Sequence, residues 1–96
     1  MTDGEGRVKV ILPRALLEYS QGKDLLELSG ATLAEVFARL DAEFPGLRAR
    51  ILDDQGRVRR FVHVFVNGDS VHPVEPEAVQ LRPGDQVHIL PSVAGG

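Results

Sequence analysis

The sequence predicts an α+β domain, with one main helix on one face of a mixed sheet of four to five short strands. Three observations carry this. Only residues 32–44 repeat their apolar side chains at clear helical spacing, whereas segments such as Phe-Val-His-Val-Phe-Val at residues 61–66 alternate with period two. Between these segments stand turn formers such as Asn67-Gly68 and Pro83-Gly84-Asp85. The chain has 96 residues, no internal repeat and no interdomain linker, which fits one domain. A domain of this length buries roughly 64% of its unfolded surface, so one modest core needs no staples.

Residues 1–6 are polar and Gly-rich and are expected to form a disordered leader. The first strand is expected over residues 7–12, with Val8, Val10 and Leu12 on one face and Pro13 ending it. Residues 15–22 carry Leu16 and Leu17 but break at Gln21-Gly22, and are assigned as loop. Leu25, Leu26, Glu27 and Leu28 form a second strand, antiparallel to the first across that connection. Thr32 and Glu35 have capping-box spacing, so the helix starts there. Leu33, Val36, Phe37, Leu40 and Phe44 share its apolar face, and Pro45-Gly46 closes it near Glu43.

Residues 47–51 suggest a short second helical turn, and Asp53-Asp-Gln-Gly56 a turn tip. In the next strand Val62, Val64 and Val66 face one way, and Phe61, His63 and Phe65 the other. Asn67-Gly68 is the pair preferred in tight turns that need positive φ, and a short strand is expected after it. The last strand runs over residues 86–90 and is stopped by Pro91. The domain is thus expected over residues 7–90, with residues 91–96 as a flexible tail. One helix covers one sheet face, so Phe65 and Leu90 are left on an open face whose apolar character marks a protein-binding surface.

Composition excludes several functions. Eleven basic against fourteen acidic residues give a net charge of −3, and aromatic residues make up only 5%. That combination offers neither a phosphate-binding footprint nor a base-stacking platform, so no nucleic-acid partner is expected. With no cysteine there is no disulfide, thiolate metal site, iron–sulfur cluster or cysteine nucleophile. The acidic start lacks a signal peptide's basic and apolar regions and no segment reaches spanning length, so a cytoplasmic location without membrane contact is expected. His63, His72 and His88 include only two that share a face, and no metal is assigned. Arg48, Arg50, Arg57, Arg59 and Arg60 crowd one segment, a pattern that fits either steering of an acidic partner or solvated surface charge, and are read as the latter.

The most informative feature is the ending, Leu90-Pro-Ser-Val-Ala-Gly-Gly96, without a charged side chain in its last six residues. Six extended residues reach roughly 20 Å, enough to carry the terminal carboxylate into a partner's active site. Glycine passes a narrow channel and permits close enzymic approach. The capped helix at Thr32, the Val-Phe-Val-Asn-Gly run at residues 64–68, the Pro-Gly-Asp-Gln-Val run at residues 83–87 and this ending together resemble the MoaD/ThiS family of ubiquitin-like sulfur carriers. The Arg60-Phe-Val-His-Val-Phe-Val-Asn67 run and the tail look closest to the carriers that serve cysteine biosynthesis, and the small subunit of molybdopterin synthase has a similar tail.

The resemblance implies a β-grasp fold and a protein with no catalytic residues and no bound cofactor. It implies that an E1-like adenylyltransferase of MoeB/ThiF type spends ATP to adenylate the Gly96 carboxylate. A sulfur donor protein then displaces AMP to leave a thiocarboxylate, which a sulfur-accepting synthase consumes. Cysteine, molybdopterin and thiamin pathways all use such carriers. Gly95, Ala94 and Val93 complete the tail. A β-grasp sheet sets the last strand between the first and third, so His63, Phe65, His88 and Leu90 are expected to form the patch that docks on the adenylating enzyme. Two other functions fit the residues: a modifier conjugated to lysines through Gly96, and a non-catalytic interaction module.

Overall fold

The computed structural model describes residues 7–72 and 75–91. Strands β1 (Arg7–Ile11), β2 (Leu25–Ser29), β3 (Val62–Val66), β4 (Asp69–Ser70) and β5 (Gln86–Pro91) form one sheet in the order β2-β1-β5-β3-β4. The last strand thus lies between the first and the third, as expected. It runs parallel to β1 and antiparallel to β3, so the sheet is mixed. Helix α1 (Leu33–Glu43) and the shorter α2 (Leu47–Ile51) pack on one face of it.

Residue chemistry accounts for the elements. At the start of α1 the Thr32 hydroxyl accepts from the Glu35 amide at 3.2 Å, and the Glu35 carboxylate accepts from the Ala31 amide at 2.8 Å. This is the reciprocal capping predicted from the spacing. Another helix-start donor, the Leu33 amide, is satisfied by the Val79 carbonyl at 2.9 Å, which ties the distant 76–81 segment to the helix. At the far end Gly46 adopts φ 98°, a left-handed conformation that costs little without a Cβ, and its amide donates to the Asp41 carboxylate. Leu33, Val36, Phe37, Leu40 and Phe44 are all buried, and Val8, Val10, Leu26, Leu28, Val64, Val87 and Ile89 meet them from the sheet. The alternation in β1, β2 and β5 is therefore real, with one face in the core and the other open.

Asn67 and Gly68 both have positive φ, 52° and 90°, and form a two-residue hairpin loop between β3 and β4. Two readings are corrected. Residues expected to be loop form a 3-10 helix, Arg14–Tyr19. Its packing is led by Leu16, Leu17 and Tyr19 against the core, and it ends at the fully buried Ser20, whose hydroxyl donates to the Lys23 carbonyl at 2.6 Å. Local propensity in that segment is weak, and the tertiary contact decides it. The second correction concerns Pro91, which was expected to stop β5 but pairs with Val62. The Asn67 amide donates to the Gln86 carbonyl, which sets the hydrogen-bonding phase of the β3–β5 ladder. In that phase Val62 and Pro91 are a non-hydrogen-bonded pair, so the missing N–H of proline costs no ladder bond.

The expected leader falls outside the described residues, as does the tail from residue 92 onward. No helix among the described residues is long and apolar enough to cross a membrane.

Candidate functional site

The open face of the sheet takes its character from strand registry. Ile11 pairs with Leu25 on one side and with His88 on the other, His88 pairs with Phe65, and Phe65 with Ser70. One row, Leu25, Ile11, His88, Phe65, Ser70, therefore crosses all five strands on the side away from the helices. Beside it Leu90 pairs with His63, and the His63 ring stacks on Phe65 with centroids 6.1 Å apart and planes inclined by 22°. The structure thus brings together His63, Phe65, His88 and Leu90. Leu25 is 50% exposed and Leu90 45%, while Ile11, Phe65 and His88 are half-buried.

Registry also separates this apolar row from a polar one. Lys9 pairs with Glu27 and Gln86, and Arg7 lies 4.0 Å from the Glu27 carboxylate. The charges stand at one end of the face and the aliphatic and aromatic groups at the other, so a partner's apolar surface can settle on one end without burying an unpaired charge. Leu25 and Ile11 were missed as site residues. The alternation of Leu25 against Leu26 and Leu28 was the available signal, but which strand neighbours which decides that Leu25 and Phe65 share a row.

Phe61 is 55% exposed and carries the Arg60 guanidinium 5.8 Å above its ring. It precedes β3 and stands outside the registered row. Gly96, Gly95, Ala94 and Val93 lie outside the described residues. What the structure places is their root: β5 carries His88 and Leu90 of the open face and ends at Pro91, so the middle of that face and the root of the tail belong to one strand.

The opposite end of β5 is pinned. The Asn67 side-chain amide donates to Asp85 at 3.0 Å, the Arg82 amide donates to the other Asp85 oxygen at 2.8 Å, and the Asn67 side-chain oxygen accepts from the Gln86 amide at 3.0 Å. The Asn67 hydrogen bond, followed by that from Arg82, holds the Asp85 carboxyl below its ordinary 3.8. This pair does structural work, locking the hairpin to the start of the last strand.

Of the three histidines, His63 and His88 lie on the open face and His72 follows β4. Among the described residues no group of three or more His, Cys, Asp or Glu side chains converges as a metal site.

Comparison with known proteins accords with this geometry. The model of the ThiS family matches residues 10–96. The chain is 36% identical over 91 residues to the sulfur carrier protein CysO of Mycobacterium tuberculosis, covering 93% of this chain and 98% of that one. It is 41% identical over 66 residues to small archaeal modifier protein 3 of Haloferax volcanii, covering 69% and 71%. The structure superposes on a chain of the Amycolatopsis orientalis BexX/CysO complex with a TM-score of 0.84 and 32% identity, covering 93% and 99%. Its strand order, open row and near-complete match converge on one conclusion: the chain belongs to the ThiS family, alongside the CysO sulfur carrier proteins.

Proposed function

We propose that this chain is a sulfur carrier that an E1-like adenylyltransferase activates at the Gly96 carboxylate. The carboxylate attacks the α-phosphorus of ATP, displacing pyrophosphate and leaving an acyl-adenylate. Sulfide-level sulfur from a sulfur donor protein then attacks the acyl carbon, forming the C–S bond as the C–O bond to AMP breaks, giving a C-terminal thiocarboxylate that a sulfur-accepting synthase consumes. Activation is required because a carboxylate, ionised near neutral pH, is a poor acyl donor. The chain itself supplies no catalytic group and binds no cofactor; ATP belongs to the partner. The acceptor we assign is the cysteine-forming one, on the likeness to CysO and the Leu-Pro-Ser-Val-Ala-Gly-Gly ending.

The observation that carries the reading is that β5 holds both the middle of the open face, His88 and Leu90, and the root of the tail. An enzyme that seats on His63, Phe65, His88 and Leu90, together with Leu25 and Ile11, lies beside Pro91, from which the tail leaves. Gly95, Ala94 and Val93 then thread toward its active site, where small side chains permit close approach.

The test is the intact mass of the full chain incubated with the host's adenylyltransferase, ATP and a sulfur donor, beside a chain lacking Gly95 and Gly96. Replacement of one oxygen by sulfur in the full chain alone is expected, and an unchanged mass overturns the reading. A second reading, conjugation to target lysines through Gly96, draws on the likeness to small archaeal modifier protein 3. It shares the adenylation step and predicts isopeptide-linked products in cells.

A further inference from the structure

A cleft of about 390 Å³ lies along the edge of β3 that faces away from β5. β4 pairs with Phe65 and Val66 along that edge, and the Val71 amide extends the cover by donating to the Val64 carbonyl at 3.1 Å. The Val62 amide donates to the Arg59 carbonyl at 3.0 Å, so the cleft opens beside a satisfied edge, where Val62 and His63 line it. Val58, Val62, Val64 and Val71 give the cleft an aliphatic floor. Arg57, Arg59 and Arg60 stand at its rim against a single carboxylate, Glu75. That carboxylate is 3.4 Å from the Arg57 guanidinium. The Arg59 guanidinium is fixed by donating its Nε–H to the Ala49 carbonyl at 2.7 Å. Asp53 nearby is committed to the backbone, accepting from the Gln55 and Arg57 amides. The rim keeps an excess of positive charge in a chain whose net charge is −3.

We propose that this cleft docks an acidic segment of the protein that engages the C-terminal tail, with an aliphatic side chain on the valine floor and carboxylates at Arg57 and Arg60. Two observations favour that occupant. The first is charge complementarity on an otherwise acidic chain. The second is continuity: His63 lines the cleft and also stacks on Phe65 in the open row, while Val62 lines it and pairs with Pro91 at the root of the tail. A partner that holds the tail and the open row therefore borders the cleft. An inorganic anion would leave the aliphatic floor unused, and a volume of this size suits a side chain with its flanking backbone. The proposal rests on the carrier reading above and adds to it a second point of contact, which steers the encounter.

Two measurements test it. In the first, the acidic peptide acetyl-Asp-Glu-Leu-Glu-Asp-amide and its Asn/Gln counterpart are titrated onto the ¹⁵N-labelled full chain. The acidic peptide is expected to shift amides of residues 57–64 and 70–72, with a Kd that rises about tenfold between about 0.05 M and about 0.3 M salt. The Arg57→Gln/Arg60→Gln variant is expected to lose those shifts while keeping its spectrum elsewhere, since both side chains are exposed. Equal shifts from the neutral peptide, no shifts in these segments, or the same shifts from inorganic phosphate alone overturn the proposal. In the second, the adenylation rate is read at subsaturating carrier. The arginine variant is expected to lower it about tenfold at low salt and little at high salt, as lost steering does. An unchanged low-salt rate overturns the cleft proposal but leaves the carrier reading standing. Absence of charging in the unmodified chain overturns the carrier reading, and the peptide titration still decides the cleft.

Discussion

At Phe65 the proposed function and the fold can be separated by one substitution. Its ring is half-buried on the open face, between His88 and Ser70 in registry and stacked on His63, with the helices on the other side of the sheet. Phe65→Ala is therefore expected to lower adenylation at subsaturating carrier about tenfold, as loss of an interface anchor does, and an unchanged rate removes the docking role. Leu25, half exposed at the edge of the same row, provides the control that registry alone suggests. Leu25→Ser is expected to weaken docking by a smaller factor, measured in the same assay, while its thermal midpoint stays within about 2 °C of the parent. Gly30 behaves oppositely, because its constraint lies inside the fold. A Cβ there would stand 2.8 Å from Val36 Cγ2 and 3.0 Å from the Val36 backbone nitrogen, which cannot retreat without moving the first turn of α1. Gly30→Ala is expected to cost about 1–3 kcal/mol in denaturant unfolding and to leave docking unchanged among folded molecules.

Among elements, β5 bears the most consequence, and its entry is set by Asn67 and Asp85. The Asp85 carboxyl is held below its ordinary 3.8 chiefly by the Asn67 hydrogen bond, so the folded state favours the ionised form. The stability this contributes is present above the ordinary value and is lost as pH falls through the lowered folded value. Asp85 is half-buried at the surface, where solvent still screens it, which keeps the contribution small. The midpoint difference between the parent and Asp85→Asn is expected to be largest above about pH 4 and to narrow toward pH 2, followed by thermal unfolding. A difference independent of pH would show that geometry rather than charge holds the turn. Helix α1 differs in origin, being specified by its own caps and apolar stripe, with its N-terminus also bonded to Val79.

For the whole molecule the governing contact joins the two ends of the chain. β1 and β5 pair in parallel, with Val10 opposite Val87 and both fully buried, so the sheet is complete only when sequence-distant strands meet. The loop-closure entropy of that pairing must be met before its contacts form, which makes the domain fold as one unit. Val10→Ala and Val87→Ala are each expected to cost about 2 kcal/mol. In the double variant a coupling of at least about 0.5 kcal/mol is expected in a denaturant double-mutant cycle. Circular dichroism and Tyr19 fluorescence should report one midpoint in every variant, and separated midpoints would show that the strand pairing is not what unites the domain.

Much of this architecture was legible from local chemistry. Thr32 and Glu35 mark the helix start because a reciprocal cap involves residues three apart, and the alternation in β1 and β5 shows which residues enter the core because side-chain period follows from backbone geometry. The Asn67-Gly68 turn was equally plain, since few residue pairs accept two positive φ angles. What these signals share is that each interaction closes within a few residues. Beyond that range local chemistry was silent, and the strand order was expected through the resemblance to a known family. The 3-10 helix at residues 14–19 forms because Leu16 and Leu17 find the core, Pro91 joins the ladder because Val62 lies opposite it, and Leu25 enters the open row because β1 bridges it to β5. The cationic cleft likewise exists only once β3 and residues 57–60, 70–72 and 75–76 are folded together. The sequence by itself determined which residues are apolar, where helix and turns begin, and what chemistry the tail can offer. Strand order was foreseen only through the family resemblance, and strand register, which depends on entropy-costly contacts between distant segments, was decided by the tertiary structure.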